Sequence, residues 1–474
     1  MREEKKEVNS TDPHFSNHFA NSGSQNKRVL IIGSIIVAAL IIDVLITWLF
    51  DIVDTIMQGL GIGLSVFVVI TVTIHGVGLY FLLSIVRQLT QQVRKKVSFY
   101  NILFWSVIAI EFILVALYVA IILEIWQFAS YRTMWTIAAT ALSMAASSTI
   151  LAFQSYTFVS WFRIHTKNIV VMIYALAPAL ASLGVGLGVF RSFIRFFEGP
   201  TVIEQSDIIS FQLISSFGQY HGLFYLSVLV LLASYMLFWI GSILHLRAYS
   251  RKRGRVKYWL LAIIPAVAFP TTLAISIGAE ASLNVDDSYR SESVIIYRVV
   301  AILSALASFI MNGFVYFMMS KTVRATTYGR MSSIQYYLLF AGFGTMTLGM
   351  SIAVPTFATF PPFESLPRSF MSAASYLYSI GLYSSAISLA EDANLRHSIR
   401  KLAFESKLLD GIGKAQLQME LQSKVLAVAK THSDSLTEKT GIESSLSEQD
   451  VKDYLEKILE ELRSSKKNNH QGDN

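Results

Sequence analysis

What most constrains this chain is the length and number of its apolar runs. Ten stretches of about 20 residues or more lie near 29–50, 58–86, 101–124, 133–162, 168–190, 221–245, 257–279, 294–319, 334–354 and 368–389. A helix rises ~1.5 Å per residue, so about 20 apolar residues cross the hydrocarbon core of a bilayer. Only 15% of the residues are charged, against about 25% in a typical soluble protein. Mean hydropathy is +0.50. The sequence therefore predicts an all-α, polytopic transmembrane helix bundle of about ten spans over 29–389. A polar segment, 1–28, precedes it and is expected to be disordered. A small helical tail, 390–474, follows. The first apolar run lacks a small-residue cleavage pattern, so it reads as a span and not as a removed leader.

The net charge of +7 is not spread evenly. Arg87, Arg94, Lys95 and Lys96 join the second and third runs, and Arg163 and Lys167 join the fourth and fifth. "RAYSRKRGRVK", 247–257, joins the sixth and seventh, and Lys321, Arg324 and Arg330 join the eighth and ninth. The intervening loops carry Asp51 and Asp54, then Arg132 alone, then a mixed set of Arg191, Arg195, Glu198, Glu204 and Asp207, then Asp286, Asp287 and Glu292, then Glu364. Basic loops stay on the cytoplasmic side, so the alternation puts both termini in the cytoplasm of a cell-membrane protein. The same charges suit anionic lipid head groups. The expected partner is the lipid bilayer, and no nucleic acid is expected.

The absence of cysteine excludes disulfides, thiolate metal sites and cysteine nucleophiles. Zinc-protease, serine-elbow, Walker A and kinase signatures are missing. His75 lies mid-membrane, His165 and His245 at the inner edge and His221 at the outer, so no pair suits a haem. No cofactor, no metal and no enzymatic activity are expected.

Three titratable residues sit where hydrocarbon should be: Asp43, His75 and Glu111, on three consecutive runs. Counted from the cytoplasmic ends, they lie about 20, 17 and 15 Å deep. A charge at that depth costs at least about 2.5–3.5 kcal/mol, so such groups face the bundle interior and pair. Consecutive spans are usually neighbours. One reading is a proton or cation site, with Glu111 exchanging, His75 relaying and Asp43 as the outward step. The other is a neutral acid held by interhelical hydrogen bonds. No half-helix break is evident in these three runs, although glycines make the second one loose.

Elsewhere, Pro178, Pro265 and Pro270 mark helix kinks in the fifth and seventh runs, because proline removes a backbone donor. Gln154 and Asn312 are read as polar contacts between helices. "SYR" at 130–132 and again at 288–290 hints at a repeat of four-helix units. The polar stretch 198–220 has room for a short interfacial helix.

In the tail, Gly411 and Gly413 predict a helix break. Beyond a polar linker, Ser447 and Asp450 form a capping box. Val451, Tyr454, Leu455, Ile458, Leu459 and Leu462 then fall on one face of an amphipathic helix near 448–463. That face suits a soluble partner, self-association, or packing within the tail. The segments "YLYSIGLYSSAISLAEDANLRHSIRK" and "TGIESSLSEQDVKDYLEKILEELR" resemble the ends of uncharacterised archaeal polytopic membrane proteins. The resemblance implies an archaeal plasma membrane and no activity. The sequence thus favours a membrane sensor or scaffold whose tail docks a partner. The alternatives are a proton-coupled small-solute transporter using Glu111, His75 and Asp43, and a structural membrane component.

Overall fold

The computed structural model describes residues 27–43, 45, 60–128, 130–165, 169–197, 202–204, 221–253, 259, 262–268, 270–271, 290–326, 333–353, 365–391 and 407–440. They are almost entirely helical. Helix α1 covers 27–43 and α2 covers 60–89. They are followed by α3 (Gln91–Lys96), α4 (Ser98–Phe128), α5 (Thr133–His165), α6 (Ile169–Phe197), α7 (His221–Arg253) and α8 (262–268). The remainder are α9 (Arg290–Thr326), α10 (Ser333–Ala353), α11 (Ser365–Ser369), α12 (Met371–Glu391) and α13 (Lys407–Thr440).

The outer faces of these helices are apolar as well as the core. On α4, Ile102, Phe112, Ile113, Val119 and Leu123 are exposed, while Glu111 is buried beside Leu114 and Tyr118. Apolar surface of that extent suits lipid rather than water. Among the described residues six helices are long and apolar enough to cross a membrane: Ser65–Leu89, Ser98–Phe128, Thr133–Arg163, Ile169–Phe197, Tyr225–Leu244 and Leu303–Lys321. They fit a multi-pass membrane protein.

Six is fewer than the ten spans expected from sequence. The described part of the first run is 27–43, and most of 257–279 lies outside the described residues. For the last two runs the reason is physical. Both α10 and α12 have 21 residues, long enough to cross, but they sit inside the bundle. In α12 nearly every residue is buried, from Met371 to Ala390, including five serines and three tyrosines. A helix wrapped in protein has no need of lipid-soluble side chains, so its composition is mixed.

α12 is the axis. It packs against α10, α5, α4 and α13. Its contact with α10 depends on glycine: a Cβ on Gly381 would lie 2.5 Å from both Ala341 N and Tyr337 O, and one on Gly344 would meet the Tyr378 backbone. The two backbones therefore touch, as small residues allow in membrane helices.

Several local expectations change. α2 contains two π-helical turns, Val72–Val77 and Phe81–Val86, so the second run is irregular after all. α6 passes through Pro178 without a break. The carbonyls beside that proline are taken up by neighbours: Ser155 Oγ donates to Ala175 O (2.8 Å) and Ser234 Oγ to Ala177 O (2.7 Å). "SYR" at 130–132 is a strand, Ser130–Arg132, paired antiparallel with Val202–Glu204; the rest of 198–220, which had room for a short helix, lies outside the described residues. Glu124 fixes this corner, accepting from Arg132 N (3.0 Å) and Trp135 Nε1 (3.1 Å). The turn between α2 and α4 is held by Arg94. It donates to Thr90 Oγ1 (3.2 Å), Asn101 Oδ1 (3.2 Å) and Arg87 O (2.7 Å), and lies 4.2 Å over the Phe104 ring. Burial pulls its pKa below the ordinary guanidinium value, Tyr376 opposes this and Arg87 adds to it.

The tail helix α13 is unbroken at Gly411 and Gly413. A Cβ on Gly413 would stand 2.8 Å from Leu389 Cβ, so this glycine serves close docking on α12 and not a turn. Leu409, Ile412 and Ala415 are buried in the same contact. The amphipathic segment 448–463, with its capping box, lies outside the described residues.

Candidate functional site: a buried histidine–carboxylate pair

His75 occupies the first π-turn of α2. Such turns widen the helix locally and often mark functional positions. Three residues on, Gly78 leaves room for the Phe370 ring, which a Cβ would meet at 2.7 Å. Phe370 is the turn between α11 and α12. There Pro367 precedes the break, and Phe370 N donates to Pro367 O at 3.3 Å. Ser143 of α5 bridges the broken ladder, donating to Ser369 O (2.6 Å) and accepting from Ser372 N (3.1 Å). A kinked α2, a broken α11–α12 and the polar face of α4 thus converge.

At their meeting point His75 Nδ1 lies 3.0 Å from Glu111 Oε2, with the side chains 2% and 1% exposed. Ser372 Oγ donates to the other carboxyl oxygen, Oε1, at 3.2 Å. On the far side of the imidazole, Nε2 lies 3.1 Å from Ser369 Oγ. The Tyr118 ring covers His75 at 5.2 Å between centroids, and its hydroxyl donates to Ser365 Oγ at 3.0 Å.

Ser369 Oγ lies within hydrogen-bond distance of both Leu366 O (2.7 Å) and His75 Nε2. Hydroxyl, imidazole and carboxyl thus form one continuous run that reaches the turn joining α11 to α12. The order hydroxyl–imidazole–carboxylate matches that of a nucleophilic triad, but here the serine is fully buried.

The three residues singled out by depth are placed differently. His75 and Glu111 are in contact. Asp43 is fully buried on α1. Gln154 accepts from Ser379 Oγ at 2.6 Å, one turn and more down α12. Asn312 is elsewhere, beside a cavity of about 40 Å³ shared with Ser234, Tyr235, Phe309 and Tyr378. Pro265 gives its carbonyl to Tyr235 Oη (2.9 Å), and Pro270 is half-buried near it in sequence. Neither proline touches the pair. Among the described residues no cluster of three or more His, Asp or Glu is placed to hold a metal ion.

Sequence reasoning missed Ser143, Ser365, Ser369, Ser372 and Tyr118. The signal was present: Ser369, Ser372, Ser375 and Ser379 recur at helical spacing, one polar face on an otherwise apolar element. That face meets Ser147 at Ser375, with 2.5 Å between hydroxyl oxygens, and Gln154 at Ser379. Nearer the tail, Tyr383 stacks on Tyr100 (4.4 Å) and Trp161 (5.8 Å). Trp161 Nε1 donates to Gln416 of α13 at 3.2 Å. Comparison of the chain with family models, curated proteins and solved structures finds no match.

Proposed function

We propose that this chain is a multi-pass membrane sensor in which the His75–Glu111 pair exchanges a proton and α12 passes the change to the tail. The observation that carries the reading is that one helix holds both ends. α12 binds Glu111 through Ser372, adjoins Ser369 at its broken start, and seats α13 at Leu389. Ser369 and Ser372 link the pair to the turn from which α12 begins. The titratable group seen against the pair is Tyr118 of α4, whose ring lies 5.2 Å from that of His75.

The finer topology belongs to the same proposal. We infer ten spans in a cell membrane with both termini cytoplasmic. Alternating loop charge supports this, as does the 21-residue length of α10 and α12, about 31 Å. A second reading, a proton-coupled solute carrier, is favoured by the π-turns of α2 and the break at Phe370, both suited to gating.

The test is amide hydrogen exchange of α13 in the reconstituted full chain, measured at about pH 5 and pH 8 with wild type and Glu111→Gln. Protection of α13 is expected to differ between the two pH values in wild type and to be the same in the variant. An unchanged pH response in Glu111→Gln removes Glu111 as the exchanging group. A Glu111-dependent proton flux into sealed vesicles would assign the carrier reading instead.

A further inference from the structure

At the end of α12 far from the buried pair, a cavity of about 380 Å³ opens between α3, α10 and α12. That volume lies within the ~300–1,000 Å³ range of small-ligand sites. One face of each helix lines it: Gln92 and Lys96 on α3, Ser333 and Tyr337 on α10, Ser384 and Glu391 on α12. From Ser372 to Glu391 is nineteen residues, about 29 Å of helix, so the cavity is separate from His75 and Glu111. Its mouth is polar and its floor is closed. Gln92, Lys96, Ser333 and Glu391 are exposed, while Tyr337, Ser384, Val93 and Ile387 are buried. Ser384 is fully buried, and its hydroxyl has no hydrogen-bond partner among the described residues. A serine within a helix commonly gives its hydrogen to the carbonyl one turn back, as Ser385 does to Gly381 O at 2.8 Å. Leaving a buried hydroxyl unpaired is costly, so the Ser384 hydroxyl marks a place for a polar group. Beside it, Tyr337 Oη donates to Leu89 O at 3.1 Å, which leaves its oxygen able to accept.

We propose that this cavity binds a small zwitterion, an ammonium and an acid group on one short skeleton, between Lys96 and Glu391. Charge balance selects that class. Lys96 and Glu391 form an ion pair at the mouth, with side chains 51% and 42% exposed. A pair so exposed contributes little, so a ligand can part it. An anion alone would take Lys96 and leave the Glu391 carboxylate against it. A cation alone would take Glu391 and leave the Lys96 ammonium against it. A zwitterion replaces both partners at once, its acid group on Lys96 and its ammonium on Glu391, with charge-assisted hydrogen bonds to each. Below the mouth, the Ser384 hydroxyl and the Gln92 amide serve the remaining polar atoms, and Val93 and Ile387 give the carbon skeleton an apolar floor. Amino acids and the phosphoethanolamine headgroup of a lipid share this chemistry.

The test has two arms, both on the full chain at a single pH. In one, protein in a non-ionic detergent is dialysed against the standard L-amino acids, and retained solutes are identified by mass spectrometry. In the other, protein in nanodiscs of mixed phosphatidylethanolamine and phosphatidylglycerol is moved into detergent, and the retained lipid is identified in the same way. Saturable retention of an amino acid assigns the ligand to the free solute. Selective retention of phosphatidylethanolamine assigns it to the headgroup. Retention of neither overturns the proposal. Ser384→Ala then separates binding from folding. It removes a hydroxyl that has no partner among the described residues, so unfolding in micelles should be unchanged or harder. The retained zwitterion should nevertheless bind about three- to tenfold more weakly. Lys96→Gln and Glu391→Gln should each weaken it by about tenfold or more. Wild-type affinity in Ser384→Ala would overturn the placement of the ligand in this cavity. None of these results depends on whether the buried pair exchanges protons.

Discussion

Replacing Gly381 by alanine tests whether the axis of the bundle is built by backbone contact. The added Cβ would lie 2.5 Å from Ala341 N and from Tyr337 O, where ordinary contact begins at 3.4 Å. Both neighbours are backbone atoms within α10, so neither can turn aside as a side chain would. α10 and α12 must therefore separate by about 0.9 Å, the difference between those two distances. A gap of ~0.5–1 Å forfeits a quarter to a half of each dispersion contact. Overpacking of this kind costs about 1–3 kcal/mol, and alanine's better helix propensity returns only about 0.5–1. A net loss of about 1–2 kcal/mol is expected. Gly76→Ala is the matched control: its Cβ would meet only Val72 Cγ1, at 3.9 Å, so the change should be neutral or slightly stabilising. Reversible unfolding in mixed micelles, followed by tryptophan fluorescence, measures both. Should Gly381→Ala be as stable as Gly76→Ala, the backbone contact between α10 and α12 is not as close as described, and the account of α12 as a tightly enclosed axis fails.

Two further predictions concern hydrogen bonds that join elements. Ser143→Ala leaves the Ser372 N–H and the Ser369 carbonyl buried at the break without the bridging hydroxyl; unfolding in micelles should become easier by about 1–3 kcal/mol, and a loss below ~0.3 kcal/mol would mean that something else completes the turn. Trp161→Phe keeps an aromatic ring against Tyr383 but removes the donor to Gln416. Amides of α13 should then exchange faster while those of α5 keep their protection, and equal rates in wild type and variant would count against Gln416 as an anchor of the tail.

How much of this was legible beforehand depends on which physical rule governs each residue. Glu111 and His75 were found from sequence because charge in hydrocarbon is costly, and depth follows from helical rise alone. That they touch was not determined by depth. It follows from the π-turn that re-aims His75 and from Gly78, which lets α2 approach the break at Phe370. Asp43 has the same depth signal and is fully buried on α1. Gln154 was read as an interhelical contact and has such a partner in Ser379. Pro178 was read as a kink, but α6 continues through it while Ser155 and Ser234 bond the carbonyls beside it. Gly411 and Gly413 suggested a break because glycine is flexible in isolation; docked on Leu389, Gly413 has another role.

By itself the sequence determined the solvent and the element type. Long apolar runs demand helices in lipid, because every backbone donor and acceptor must be satisfied within the segment. Only tertiary structure decided which apolar helices keep an exposed face and which are enclosed by protein. That choice depends on contacts far apart in the chain, such as Gly381 with Ala341, Ser143 with Ser369, and Ser372 with Glu111. By composition α12 reads as one more span. Its enclosure by neighbouring helices turns the same serines into the polar face that holds the buried pair.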